Sequence, residues 1–148
     1  MQSIKNSKIQ FIPGLGEKPK NYKTLFKFLE VLDVDWNTEK ISPKINKPDI
    51  LIGFSMGAVL ACEYAIKHRI DTLIICSLTP MVETLKNVIA RNIIFIVGSK
   101  EIWIVKNTKR VRKTLKCKNS LIIVPNADHK IVGNYRYTLI QKIITLSK

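Results

Sequence analysis

Acidic residues are scarce in this 148-residue sequence, with 11 Asp and Glu against 25 Lys and Arg. So few carboxylates, with only two histidines and no clustering, leave no ligand set for a metal centre, so neither a metal nor another cofactor is expected. Cysteine is also sparse. Three residues, with no C-x-x-C pair, exclude both a disulfide framework and a zinc ribbon, and they fit a reducing compartment. Long apolar runs are missing. Ile93 to Val97 and Leu121 to Pro125 fall far short of the roughly 18–20 residues that a membrane span needs. Met1 to Gln10 carries Lys5 and Lys8 but no apolar stretch of a secretory signal, so the expected location is the cytoplasm.

What is present is 46% apolar residues, enough at this length to exclude disorder and to bury a core without disulfides. One domain, residues 1–148, is expected. The net charge of +14 admits nucleic-acid binding, attraction to an anionic substrate or membrane, or plain lysine richness, and composition does not choose among them.

The chain alternates short β-branched runs with longer amphipathic stretches. Strands are expected at Lys8 to Ile12, Val34 to Trp36, Asp49 to Gly53, Thr72 to Cys76, Asn92 to Val97 and Ser120 to Val124. Helices are expected over Tyr22 to Leu32, Met56 to His68, Pro80 to about Ala90, Trp103 to Lys116 and Lys130 to Leu146, with Pro80 suited to a first helical turn. Continuously apolar strands between helices imply an α/β domain, a doubly wound and mostly parallel sheet covered on both faces. Such sheets bind ligands beyond the carboxyl ends of their strands.

Gly53-Phe54-Ser55-Met56-Gly57 fits G-x-S-x-G and falls between the third strand and the second helix, as that motif requires. A strand-to-helix turn this tight strains the backbone at the serine and leaves little room at the flanking glycines. The bare pattern arises by chance in roughly one chain in twenty of this length, so the context carries the weight. The plain alternative is that Ser55 only caps the helix. A nucleophilic serine needs a base. His129, in Pro125-Asn126-Ala127-Asp128-His129, follows the sixth strand on the same edge of the sheet, whereas His68 ends a helix on the opposite edge and reads as structural. For the acid, Glu101 follows the fifth strand in Val97-Gly98-Ser99-Lys100-Glu101. Asp128, suited to capping the last helix, and Glu83, in a helix first turn, are its rivals. Backbone N–H groups of Met56 and of Leu15, in the loop Pro13-Gly14-Leu15-Gly16, could stabilise an oxyanion. That loop lacks the third Gly and the Lys-Ser/Thr of a phosphate loop.

The succession Pro-Gly-Leu-Gly, Gly-Phe-Ser-Met-Gly, Gly-Ser-Lys-Glu and Ala-Asp-His resembles the α/β-hydrolase superfamily over nearly the whole chain, and within it the small lidless serine hydrolases, which are esterase-like. The resemblance implies Ser55 as nucleophile, Glu101 as acid, His129 as base, Leu15 and Met56 as oxyanion donors, and strand order 2-1-3-4-5-6. The chain departs from the usual pattern at Pro13, where many members have His, and at Glu101, where Asp is usual. It also lacks the first strand pair of the larger fold. Only 15 residues separate Cys76 from Asn92, too few for an inserted cap.

The expected activity is hydrolysis of a carboxylic ester or thioester through an acyl-enzyme, on a small-molecule substrate that the positive charge would bias toward anions. The competing reading is a noncatalytic module of the same fold with a basic surface for an anionic partner. Its surface would be Lys106 to Lys118, where Lys106, Lys109, Arg110, Arg112, Lys113, Lys116 and Lys118 crowd one segment. No aromatic residue is interleaved there, which argues against nucleic acid and for a solvated outer helix face. Cys76 and Cys117 are weaker nucleophile candidates, Cys76 as a buried strand end and Cys117 as a helix end. Sequence does not choose the oligomeric state.

Overall fold

A computed structural model describes residues 7–79 and 81–147. Pro80 and most of the Met1 to Gln10 stretch therefore lie outside the described residues. Six strands form one wholly parallel sheet: β1 (Ile9–Ile12), β2 (Glu30–Val31), β3 (Ile50–Phe54), β4 (Ile70–Cys76), β5 (Ala90–Gly98) and β6 (Lys118–Val124). Their order is β2-β1-β3-β4-β5-β6, as the resemblance implied. The helices are α1 (Met56–Lys67), α2 (Val82–Lys86), α3 (Ile102–Arg112) and α4 (Gly133–Leu146), with a 3-10 segment at Pro19–Leu25.

Both faces of the sheet are covered because the central strands carry apolar side chains on alternate sides. Phe11, Ile52, Phe54, Ile74, Cys76, Ile94 and Ile96 pack with Tyr22 and Leu25 and with Tyr135, Leu139 and Ile143 of α4. Leu51, Leu73, Ile75, Ile93 and Phe95 pack on the other side with Ala58, Ala61 and Ala65 of α1, Leu85 of α2 and Val111 of α3. On α3, Thr108 and Val111 turn inward while Lys106, Lys109 and Arg110 are exposed, which is the solvated outer face expected of this segment. Among the described residues no helix is long and apolar enough to cross a membrane.

Several sequence expectations are corrected. The second strand is Glu30–Val31 rather than Val34 to Trp36, and the helix expected over Tyr22 to Leu32 is only the 3-10 segment. Pairing with the edge of β1 captures this stretch: Gln10 and Phe11 face Glu30 and Val31, Leu32 N–H bonds to Phe11 carbonyl, and Gln10 Nε2 donates to Glu30 Oε1 at 2.8 Å. Helical spacing of Leu25, Phe28 and Leu29 loses to those cross-strand bonds. Helix α2 covers only Val82–Lys86, because Ile89 has its carbonyl taken by Ile70 N–H and its N–H by Ala65 carbonyl, which commits the chain to β5. Helix α3 ends at Arg112, where Thr114 and Leu115 N–H groups close tight turns. Helix α4 begins at Gly133, not Lys130, so Asp128 does not cap it; Lys130 N–H closes a turn on Asp128 carbonyl instead.

Candidate active site

The loops after β1, β3, β4, β5 and β6 meet at the carboxyl edge of the sheet. Between β3 and α1 the chain turns in a single residue: Ser55 has φ 55° and ψ −118°, a left-handed backbone that costs a non-glycine residue roughly 1–3 kcal/mol. The flanking glycines are steric necessities. A Cβ at Gly53 would lie 2.5 Å from Ala58 Cα, and one at Gly57 would strike the carbonyl oxygens of Ile12 and Pro13. These two contacts seat α1 against β3 and against the loop after β1. Ser55 N–H is held by Cys76 carbonyl at 2.9 Å, which fixes the turn against the end of β4.

His129 Nε2 stands 3.1 Å from Ser55 Oγ, and its Nδ1 is 2.7 Å from Glu101 Oε2. The imidazole packs on the Phe54 ring with centroids 5.0 Å apart. Gly98 lets the two supporting loops approach, since a Cβ there would collide with Ala127 carbonyl. The structure thus brings Ser55, Glu101 and His129 into one chain of contacts. Neither rival acid reaches the ring: Asp128 Oδ1 accepts the backbone N–H of His129, and Glu83 lies exposed on α2 beside Lys86. His68 is on the opposite edge, stacked on Tyr64.

Glu101 is itself anchored by groups that sequence reasoning missed. Its side chain is 3% exposed. Oε1 accepts the Ser77 hydroxyl at 2.6 Å and the Gly98 N–H at 2.9 Å, which leaves Oε2 for the imidazole. Behind Ser77 stands the fully buried Tyr135, whose hydroxyl lies 2.6 Å from Ser77 Oγ and 2.8 Å from Ile96 carbonyl. Ser77 donates its own proton to the carboxylate, so the Tyr135 proton is shared between those two acceptors. Burial raises the Tyr135 pKa, keeping it a neutral donor. The available signal for Ser77 was its place just past β4 on the functional edge, where it also takes positive φ. Tyr135 carried none, because it reads as one more member of the apolar face of the last helix.

Glu17 organises the loop after β1. Its Oε1 accepts Gly14 N–H at 2.7 Å and Tyr22 hydroxyl at 2.5 Å, while its carbonyl accepts Trp36 Nε1. With Gly14 N–H so engaged, the next N–H in the loop, that of Leu15, has no acceptor among the described residues, and neither has Met56 N–H at the start of α1. Cys76 is fully buried and its thiol is pushed up to about 12, chiefly by burial. Burial also raises the thiol pKa of Cys117. Neither thiol is poised as a thiolate. No group of three or more potential metal ligands occurs among the described residues.

Neither a protein-family model nor any curated protein sequence matches the chain. Solved structures do. A dienelactone hydrolase from Anabaena variabilis superposes with TM-score 0.72 at 16% identity, covering 93% of this chain and 84% of that one. A predicted CIB-like hydrolase from Thermoplasma acidophilum gives 0.74 at 12%, covering 97% and 87%. ClbQ from the colibactin NRPS/PKS pathway gives 0.69 at 12%, covering 95% and 97%. With its wholly parallel sheet in the order 2-1-3-4-5-6, the chain has the α/β-hydrolase fold in a minimal form.

Proposed function

We propose that this chain is a serine hydrolase that cleaves a carboxylic ester or thioester through an acyl-enzyme. One observation carries the reading: a serine on a strained left-handed turn lies 3.1 Å from an imidazole whose other nitrogen meets a buried carboxylate at 2.7 Å. Likeness in fold to structures described as hydrolases supports it.

In this mechanism Ser55 Oγ attacks the carbonyl carbon while His129 Nε2 takes the hydroxyl proton, and the carbonyl electrons move onto oxygen. Glu101 holds the imidazole with Nδ1 protonated, leaving Nε2 free to accept, and stabilises the imidazolium that forms. The oxyanion takes the N–H groups of Leu15 and Met56, next to the positive end of α1. Collapse re-forms the carbonyl, breaks the bond to the alcohol or thiol, and returns the proton from His129 to that leaving group. Water then repeats the sequence with His129 again as base, releasing the acid and restoring Ser55. Three cysteines free of disulfides, two of them buried, fit work in a reducing compartment such as the cytoplasm.

Labelling by a fluorophosphonate probe, with turnover of p-nitrophenyl esters, tests this reading. Wild type is expected to label and turn over, and Ser55→Ala to do neither. Wild type that neither labels nor hydrolyses would leave a noncatalytic binding module as the better account.

A further inference from the structure

Because each crossover of a wholly parallel sheet returns the chain to the far edge, the helices that follow β3, β4, β5 and β6 all begin at the carboxyl edge, where Ser55 stands. Helix starts are ordinarily polar, with Ser, Thr, Asp or Asn at the cap and acids in the first turn. Here they are apolar. Met56 opens α1, Met81 and Val132 take the cap positions of α2 and α4, and Ile102 and Trp103 open α3. With Leu15, in the loop after β1, these five make up six of the ten large apolar side chains exposed among the described residues. Met56 follows Ser55, Ile102 follows Glu101, and Val132 comes three residues after His129, so the patch belongs to the same loops as the proposed catalytic set. That set is open to solvent, since the His129 side chain is 46% exposed.

Cations accompany the patch. Lys100, next to Glu101, and Lys130, next to His129, are exposed, and Lys106 Nζ lies 5.5 Å from the centre of the Trp103 ring. None of the three is in an ion pair among the described residues. The exposed acids nearby are Asp128, beside His129, and beyond β2 Asp35 and Asp33, the last paired with Lys18 at 3.6 Å. Helices α1, α3 and α4 carry no acid in their first turns, which leaves the positive ends of their dipoles uncompensated at this edge.

We infer that this edge docks on an anionic lipid surface, and that the substrate is an ester or thioester of a lipid held in that surface. The chemistry rests on the serine-hydrolase reading, to which the inference adds where the substrate lies. Two observations select the occupant. Ser55 lies among the apolar residues, so a lasting occupant such as a second copy would shut the site, whereas a lipid surface delivers the ester itself. Apolar side chains accompanied by cations also match acyl chains beneath anionic headgroups, with Trp103 and Lys106 as an amphipathic pair for the boundary between them.

The test is co-sedimentation with vesicles of mixed phosphatidylglycerol and phosphatidylcholine, and of phosphatidylcholine alone, beside fluorophosphonate labelling. Wild type should bind the anionic vesicles at least about tenfold more tightly, since each lysine near such a surface adds about fivefold, and salt should weaken the binding. Ile102→Ser with Trp103→Ser should lose about tenfold or more, the contribution of one large apolar side chain, together with the blue shift of tryptophan emission on vesicles. Lys100→Glu with Lys130→Glu should lose far more than Lys67→Glu with Arg69→Glu, an equal change of charge at the opposite edge of the sheet. A thermal melt checks that each variant folds. For catalysis, the rate on p-nitrophenyl palmitate carried in anionic vesicles is divided by the rate on dissolved p-nitrophenyl acetate, which cancels damage to the chemistry. The ratio should fall in the Ile102→Ser, Trp103→Ser variant. Labelling without vesicle binding, equal losses from the two charge pairs, an unmoved ratio, or dimerisation that Trp103→Ser abolishes overturns the docking assignment and leaves the serine hydrolase standing. Binding without labelling overturns the hydrolase reading and with it the lipid ester as substrate.

Discussion

Replacing Glu101 by glutamine is the most discriminating perturbation of the proposed catalytic set, because the structure dictates how the amide must sit. Gly98 N–H is a fixed backbone donor 2.9 Å from Oε1, and Ser77 donates to the same oxygen at 2.6 Å. An amide NH2 at that position would face the Gly98 N–H donor to donor, so the glutamine oxygen takes the place of Oε1 and the NH2 takes the place of Oε2. That NH2 then points at His129 Nδ1, now 2.7 Å from a carboxylate oxygen, and forces Nδ1 to act as acceptor. The ring proton moves to Nε2, the nitrogen that must receive the Ser55 proton. The same isosteric change in a serine-protease triad costs about 10⁴ in kcat through the wrong tautomer. At 1.36 kcal/mol per decade this is about 5.4 kcal/mol of transition-state stabilisation. Folding should be spared, since the Ser77 and Gly98 bonds survive. The assay is initial-rate hydrolysis of p-nitrophenyl butyrate by Glu101→Gln, with a thermal melt as control. Asp128→Asn serves as comparison, because the Asp128 carboxylate meets the backbone N–H of His129 and not its ring. Glu101→Gln within tenfold of wild type, or Asp128→Asn damaged as severely, would refute the role given to Glu101.

Four further outcomes are expected. Ser77→Ala removes one hydrogen bond to a charged carboxylate, worth about 1.5–3 kcal/mol, so kcat should fall roughly 10- to 10²-fold with KM little changed. Tyr135→Phe acts only through Ser77 and should cost less; steady-state kinetics on both variants reads the ranking, and a larger loss for Tyr135→Phe in kcat alone would contradict it. Gly57→Ala should lower the urea midpoint by the equivalent of about 1–3 kcal/mol, because its Cβ would meet two carbonyl oxygens at the end of β1; an unchanged midpoint would mean the helix shifts freely. Raised pKa values keep the Cys62 and Cys76 thiols protonated below about pH 12, so at pH 8 a disulfide reagent should titrate Cys117 alone in the native protein and all three after denaturation.

Much of the architecture was legible in local patterns. β3 and the stretches Leu73 to Cys76 of β4 and Ile93 to Val97 of β5 are apolar runs that suit a doubly covered parallel sheet, and Gly53 to Gly57 states its own geometry because two glycines and a serine are what a one-residue turn from strand to helix requires. Chain order and the edge of the sheet together point to the loops that hold Glu101 and His129. Less legible were the edges. Leu25, Phe28 and Leu29 have helical spacing, yet the adjoining chain becomes β2 because β1 offers free backbone partners, and nothing near residue 30 announces them.

By itself, then, the sequence determined the order of elements, the parallel sheet and the delivery of Ser55 and His129 to its carboxyl edge, since each depends on periodicity, punctuation and the side to which a strand delivers its loop. Only the tertiary structure decided which carboxylate meets the imidazole, that Ser77 and Tyr135 stand behind it, and that Glu17 ties down the loop after β1. Those are distances between residues as far as 58 positions apart, set by how helices seat on the two faces of the sheet. Local pattern says which face a residue occupies; packing alone says what it meets there.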